Sequence, residues 1–182
     1  MIVENKEIIK VAVVGPESTG KSTISKYLSQ RFNTVCVPEY SRYYCANLQR
    51  QYTLQDELNM FYGQLALEDA LTPLSINNLL ITDTTILTVK IWSDHLFKRT
   101  PKEVLEEINS RQYDLYLLMD IDLPWQDDPL RDFPDQREYF MKVWQTELEA
   151  IDANYILISG TGKLRDDQAY QAIKSFLKTR KS

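Results

Sequence analysis

The octapeptide from Gly15 to Ser22, Gly-Pro-Glu-Ser-Thr-Gly-Lys-Ser, meets every fixed position of the phosphate-binding loop pattern G-x-x-x-x-G-K-[ST]. This motif constrains a fold tightly, because it works only where a strand delivers the loop and a helix carries it away. The flanks supply both. Ile8 to Val14 is an apolar, β-branched run of strand type, and Ser22 to Phe32 places Ile24, Tyr27, Leu28 and Phe32 at helical spacing. In that geometry successive backbone N–H groups wrap a phosphate, and the helix dipole favours its negative charge. The Lys21 ammonium reaches the β- and γ-phosphates, and the Ser22 hydroxyl ligates Mg²⁺. The expectation is a nucleoside triphosphate held by Gly15, Glu17, Ser18, Thr19, Gly20, Lys21, Ser22 and Thr23. A GTP-reading Asn-Lys-x-Asp motif is missing from the sequence, which favours ATP.

The rest of the chain fits one domain spanning residues 1–182. Thr34 to Val37 is a short strand stopped by Pro38, where a ladder N–H is lost. Helical spacing is weak from Ser41 to Leu48 and strong from Leu54 to Leu71. Leu79 to Thr82 reads as a buried strand ending at Asp83, followed by helices over Thr84 to Phe97 and Pro101 to Asn109. Tyr113 to Met119 is a further strand. Three prolines and a run of aspartates then make Asp120 to Pro134 a mobile loop. A helix from Asp135 to about Ile151, a strand from Tyr155 to Ile158, a glycine turn and a helix from Arg165 to about Lys178 complete the chain. Five strands alternating with helices predict an α/β fold, a parallel sheet covered on both faces, with the ligand at the carboxyl ends of its strands.

Composition excludes several classes. The net charge of −5, with no long Lys/Arg run, disfavours nucleic acid as a partner. No apolar run approaches the length of a membrane span, and the N-terminal segment lacks a leader's apolar core, so the expected location is the cytoplasm. Cys36 and Cys45 match no zinc or redox spacing, and His95 is the single histidine, which argues against a zinc site.

Polar residues at strand ends are the candidates for chemistry. Asp83 occupies the position of the acid that completes a Mg²⁺ shell, and it also suits a helix N-cap for the segment at Thr84. Glu39, after the second strand, is placed to accept a proton from an attacking hydroxyl, with Arg42 three residues on to hold it or a phosphate; a solvated turn is the alternative, and the sequence does not assign base and metal ligand between Glu39 and Asp83. Arg131 and Arg137, in or beside the Pro/Asp-rich loop, suit neutralisation of a transferring phosphoryl group, or simply balance the neighbouring aspartates. Trp125 offers an indole face for a flat or cationic ring.

Taken together, GPESTGKS, VPEYSRYY, LLITDTT, YDLYLLMDIDLPWQDD and LRDFPDQR resemble the ribosylnicotinamide kinase domain of NadR-type proteins and the related NadR-like AAA-type ATP-binding proteins. The resemblance implies a nucleoside- or nucleotide-kinase-like fold with sheet order 2-3-1-4-5 and a lid over about residues 120–137. It implies phosphorylation of the 5′-hydroxyl of nicotinamide riboside by MgATP, with another nucleoside or nucleotide, or a regulatory ATPase acting through a protein partner, as alternatives. Glu39, Tyr40 and Arg42 match the family's Glu-Tyr-x-Arg at the substrate cleft, Asp83 the first acid of its Asp-Thr-Asp, Trp125 its lid-side tryptophan, and Arg131 and Arg137 its lid arginines. Two departures stand out. The Asp-Thr-Asp is Asp83-Thr84-Thr85 here, and the lid's usual glycine is Pro129, which stiffens the loop. At this length the chain is expected to carry neither the adenylyltransferase nor the DNA-binding domain of full NadR proteins.

Overall fold

In the computed structural model, which describes residues 7–46 and 48–180, five parallel strands make one sheet in the order β2-β3-β1-β4-β5. The strands are β1 (Ile9–Val14), β2 (Cys36–Val37), β3 (Leu79–Asp83), β4 (Leu115–Met119) and β5 (Tyr155–Ile158). Among the described residues seven α-helices are interleaved: α1 (Lys21–Phe32), α2 (Tyr40–Cys45), α3 (Leu54–Leu71), α4 (Leu87–Phe97), α5 (Lys102–Ser110), α6 (Arg137–Ala150) and α7 (Gly162–Thr179). Residues 1–6, on which the reading of a leader falls, lie outside the described residues.

The apolar strand runs are continuous because both faces of the sheet are covered. Strand side chains alternate between two cores. Val11, Val13, Leu79, Ile81, Leu115, Leu117 and Met119 pack with Ile24 and Leu28 of α1 and Ala169 and Ile173 of α7. Ala12, Val14, Tyr116 and Leu118 pack on the opposite face with Leu87 and Ile91 of α4 and Phe140, Met141, Trp144 and Leu148 of α6. A third, smaller core joins Phe61 of α3, Ile86 and Val89 around α4 and Val104 of α5. Among the described residues, no helix is long and apolar enough to cross a membrane.

Where element ends differ from the sequence reading, side-chain hydrogen bonds explain most of the shifts. β2 is two residues rather than four, and before it the Thr34 hydroxyl donates to the Leu79 carbonyl. Tyr113 and Asp114 lie outside β4; the Lys10 N–H donates to the Asp114 carboxylate at 2.8 Å, so a side chain takes up a backbone donor beside the strand. α4 begins at Leu87, three residues later than expected, because Thr84 adopts φ +69° and breaks the helical run. The Leu87 N–H is met by the Thr85 hydroxyl at 3.2 Å, so Asp83 is free of the capping role. α6 starts two residues late, after a 3₁₀ turn over Pro134–Gln136. α7 starts three residues early, at Gly162.

Candidate active site

The phosphate loop leaves the central strand β1 and enters α1 between the ends of β3 and β4. Its curvature comes from three residues of positive φ: Gly15 at +136°, Ser18 at +57° and Gly20 at +78°. Gly15 is irreplaceable on space as well as torsion, because a Cβ there would sit 2.9 Å from the Met119 carbonyl oxygen. The Thr19 hydroxyl and the Lys21 ammonium both donate to the Pro16 carbonyl, at 2.8 and 2.7 Å, and these two bonds close the loop on itself. Gly20 caps α1 without a side chain, and the first turn carries no acid, so its N–H groups face the loop uncancelled.

Three charged residues from outside the loop, Asp83, Glu39 and Arg42, converge on its Lys21. Asp83 ends β3 and is buried, and its Oδ1 has no hydrogen-bond partner. Burial, and then the negative charge of Glu39, push its carboxyl up to about 6, against the Ser22 hydroxyl, Lys21 and Arg42. Loss of water holds the Lys21 ammonium below the usual lysine range, although Glu39, Asp83 and Glu17 all favour its charge. Glu39 precedes α2 and accepts from the Ser41 hydroxyl at 3.0 Å, while Arg42 Nε lies 3.3 Å from its other oxygen. A carboxylate oxygen without a partner beside a serine hydroxyl fits a Mg²⁺ ion whose remaining ligands are phosphate and water oxygens. Among the described residues, no group of three or more His, Cys, Asp or Glu would hold a metal by protein ligands alone.

The Pro/Asp-rich segment lies over the loop. The Gln126 N–H donates to Ser18 Oγ at 2.8 Å, and Arg131 Nη1 approaches the same oxygen at 3.4 Å. Arg42 Nη1 reaches back to Asp128 at 2.9 Å, so one guanidinium joins Glu39 to this lid. The Phe133 N–H meets Glu17 Oε2 at 3.4 Å, and the Phe133 ring stacks on Trp92 with centroids 5.4 Å apart. Arg137 donates to the Leu123 carbonyl at 2.7 Å, securing the lid's base.

Beneath the lid is a cavity of about 850 Å³. Gly15 through Thr23, Glu39, Arg42 and Arg131 all line it, so the structure brings these expected site residues into one space. Asp83 lies just beneath its wall, next to Thr84. Three other expected site residues are absent from its lining. Tyr40 packs its ring against Gly63, and its N–H donates to Gln64 Oε1 at 2.8 Å. Trp125 donates its indole N–H to Asp127 at 2.9 Å, between the lining residues Pro124 and Gln126. Arg137 acts on the lid backbone.

Sequence reasoning passed over Arg165. It is buried, and its guanidinium donates to the carbonyls of Thr19 (2.9 Å), Asp120 (2.8 Å) and Gly160 (2.9 Å) while pairing with Asp122. It thereby ties the phosphate loop to the ends of β4 and β5. Only its place beside a glycine turn hinted at this. His95, the single histidine, lies on α4 against Phe133 and Phe140.

A family model described as an AAA domain matches residues 10–165. The trifunctional NAD biosynthesis/regulator protein NadR of Salmonella typhimurium is 29% identical over 130 residues, covering 66% of this chain and 30% of that protein. The chain thus spans about a third of the length of this curated relative. A crystal structure of NadR protein in complex with NR superposes with a TM-score of 0.76 at 19% identity, covering 93% of this chain and 50% of that one. Thymidylate kinase from Ehrlichia chaffeensis gives 0.61 at 15% identity, covering 94% and 99%.

Proposed function

The chain belongs to the AAA-domain family, and on that premise we propose that it is an ATP-dependent kinase that phosphorylates the 5′-hydroxyl of nicotinamide riboside to give the mononucleotide. One observation carries the reading. Glu39 and Arg42 face the phosphate loop across a single lidded cavity whose wall also abuts Asp83, a space with room for both a nucleotide and a small acceptor. The NadR relatives, one of them bound to NR, supply the acceptor.

In this reading the loop's backbone N–H groups and Lys21 hold the β- and γ-phosphates of ATP. Glu39 takes the proton of the acceptor hydroxyl as its oxygen bonds to the γ-phosphorus and the bond to the β-phosphate oxygen breaks. Arg42 orients Glu39, and its second arm on Asp128 makes that orientation depend on the lid being down. Arg131, lying on Ser18, neutralises charge on the transferring group, while Arg137 keeps the lid's base in place. Ser22 and Asp83 would hold Mg²⁺, which when bound screens the charge of the phosphate oxygens. The lid excludes water and so suppresses hydrolysis. The free thiols of Cys36 and Cys45 suit a reducing compartment, and we place the activity in the cytoplasm.

The test is ADP release from MgATP with nicotinamide riboside and a panel of nucleosides and nucleoside monophosphates, with the product identified by mass. Riboside-dependent ADP release that disappears in Lys21→Ala and Glu39→Gln supports the reading. Release that no acceptor raises above the ATP-only background overturns it and points to a nucleotide-dependent regulator.

A further inference from the structure

The proposed mechanism leaves one buried acid of the cavity unused. Glu57 lies in the first turn of α3, is 2% exposed, and lines the cavity with Cys45, Tyr52 and Met60. Its neighbour Asp56 has a full structural role: it completes the capping box with Thr53, takes two bonds from Arg50 and accepts from the Tyr44 hydroxyl. Glu57 has none of this. Among the described residues its side chain makes no hydrogen bond and no ion pair.

The cavity's cations are engaged elsewhere. Lys21 lies on Pro16, Arg42 between Glu39 and Asp128, Arg50 on Asp56, Arg131 on the lid and Ser18, and Arg165 on the loop carbonyls. The ionisable groups that face Glu57 are Asp56 on its own helix, Cys45 at the end of α2 and Tyr52 before α3, and none is a cation. A carboxyl buried without a partner is costly to keep, unless something outside the chain completes it. The surroundings suit one kind of guest. Tyr52, Met60 and the Cys45 sulfur offer a polarisable wall, which stabilises a flat, weakly hydrated cation better than a compact ammonium.

We infer that Glu57 is a specificity-determining residue of the acceptor site, and that its carboxylate faces a permanently charged heteroaromatic ring on the acceptor. The inference rests on the kinase reading for its ligand, since a pyridinium riboside carries that ring. Burial pushes the free carboxyl up to about 8, and a cation beside it favours the carboxylate, as an ion pair formed on binding requires. A neutral base of the same outline leaves the acid buried and unpaired, as in the empty cavity, and gains nothing from it.

The test uses the full chain and two ribosides that differ in charge: nicotinamide riboside and its uncharged 1,4-dihydro form. Calorimetric titration of each measures the preference for the cation. The wild-type chain is expected to prefer the cation by about tenfold or more, Glu57→Gln to lose that preference, and Glu57→Asp to recover part of it. MgATP affinity, measured on the same samples, should stay within twofold and certifies folding. A Glu57→Gln chain that keeps the wild-type preference overturns the inference, as does a wild-type chain with no preference. Failure of the kinase reading looks different. A Glu57-dependent preference without riboside-dependent ADP release leaves Glu57 as a cation-recognising residue and removes the kinase assignment; absence of binding to either riboside removes both.

Discussion

The two ends of the cavity are built by opposite means. The phosphate end is eight consecutive residues shaped mainly by their backbone: three positive φ angles, a Pro16 carbonyl that gathers the Thr19 and Lys21 side chains, and a helix N-terminus with no side-chain cap. The proposed acceptor end is assembled from side chains that lie far apart in sequence, with Glu39 just before α2, Arg42 on α2, Glu57 on α3 and Asp128 and Arg131 on the lid. A backbone site is fixed once its strand and helix form. A side-chain site also depends on how α2, α3 and the lid pack on one another. The first should therefore resist changes elsewhere in the protein, and the second should be sensitive to them.

The sharpest way to break this contrast is at Lys21, the cationic side chain of the phosphate end. Lys21→Ala removes the ammonium that the proposed mechanism sets on the phosphates, and kcat/KM for phosphoryl transfer is expected to fall about 1000-fold, with a stable fold by circular dichroism. Glu39→Gln should come next, with a fall of about 100- to 1000-fold carried by kcat, while the affinity for MgATP measured by titration stays near that of the wild type. If Glu39→Gln instead weakened ATP binding as much as Lys21→Ala does, the two ends would be one site, and the division would be mistaken.

Gly63 separates the ends without touching either. It lies in α3, and a Cβ there would stand 2.1 Å from the Tyr40 ring. Tyr40 is the first residue of α2, so Gly63→Ala must displace the Tyr40 ring, and is expected to shift with it the helix that carries Arg42 and succeeds Glu39. Turnover with the acceptor should drop about 10- to 100-fold, the scale of a catalytic group misplaced by about an ångström. ATP affinity should change less than twofold. Equal losses in both would show that displacement of α2 is felt at the loop.

The same contrast explains what could be read from the sequence. The phosphate loop was legible because its chemistry is local: eight residues, a strand before and a helix after. The sheet order, given only by family resemblance, is also observed, and the strands were visible as apolar runs since both faces are buried. Asp83 stood out because it ends a strand, and Glu39 because it follows one closely. Glu57 and Arg165 did not, because each looks like an ordinary charged residue on a helix, and only the fold puts one into a cavity and the other under the loop. Nor did the sequence place Trp92, rather than Trp125, at the cavity wall. The stack of Trp92 on Phe133 joins α4 to the lid across about 40 residues, a contact that no local pattern records.

The smallest expected effect tests the acceptor end by stability alone. Burial pushes the Glu57 carboxyl from 4.5 up to about 8 in the folded, ligand-free chain. Between those values the folded state keeps a proton that the unfolded chain has released, so this group favours folding at low pH and its contribution fades as pH rises towards 8. Glu57→Gln has no such proton. The melting temperature of wild type relative to Glu57→Gln should therefore fall by a few degrees between pH 5 and pH 8, with Asp56, Cys45 and Tyr52 common to both chains and cancelling in the difference. Parallel profiles would mean that Glu57 already ionises in the empty cavity. The acceptor end would then be wetter or better paired than its geometry implies, and the contrast between a preformed phosphate site and an acceptor site waiting for its cation would disappear.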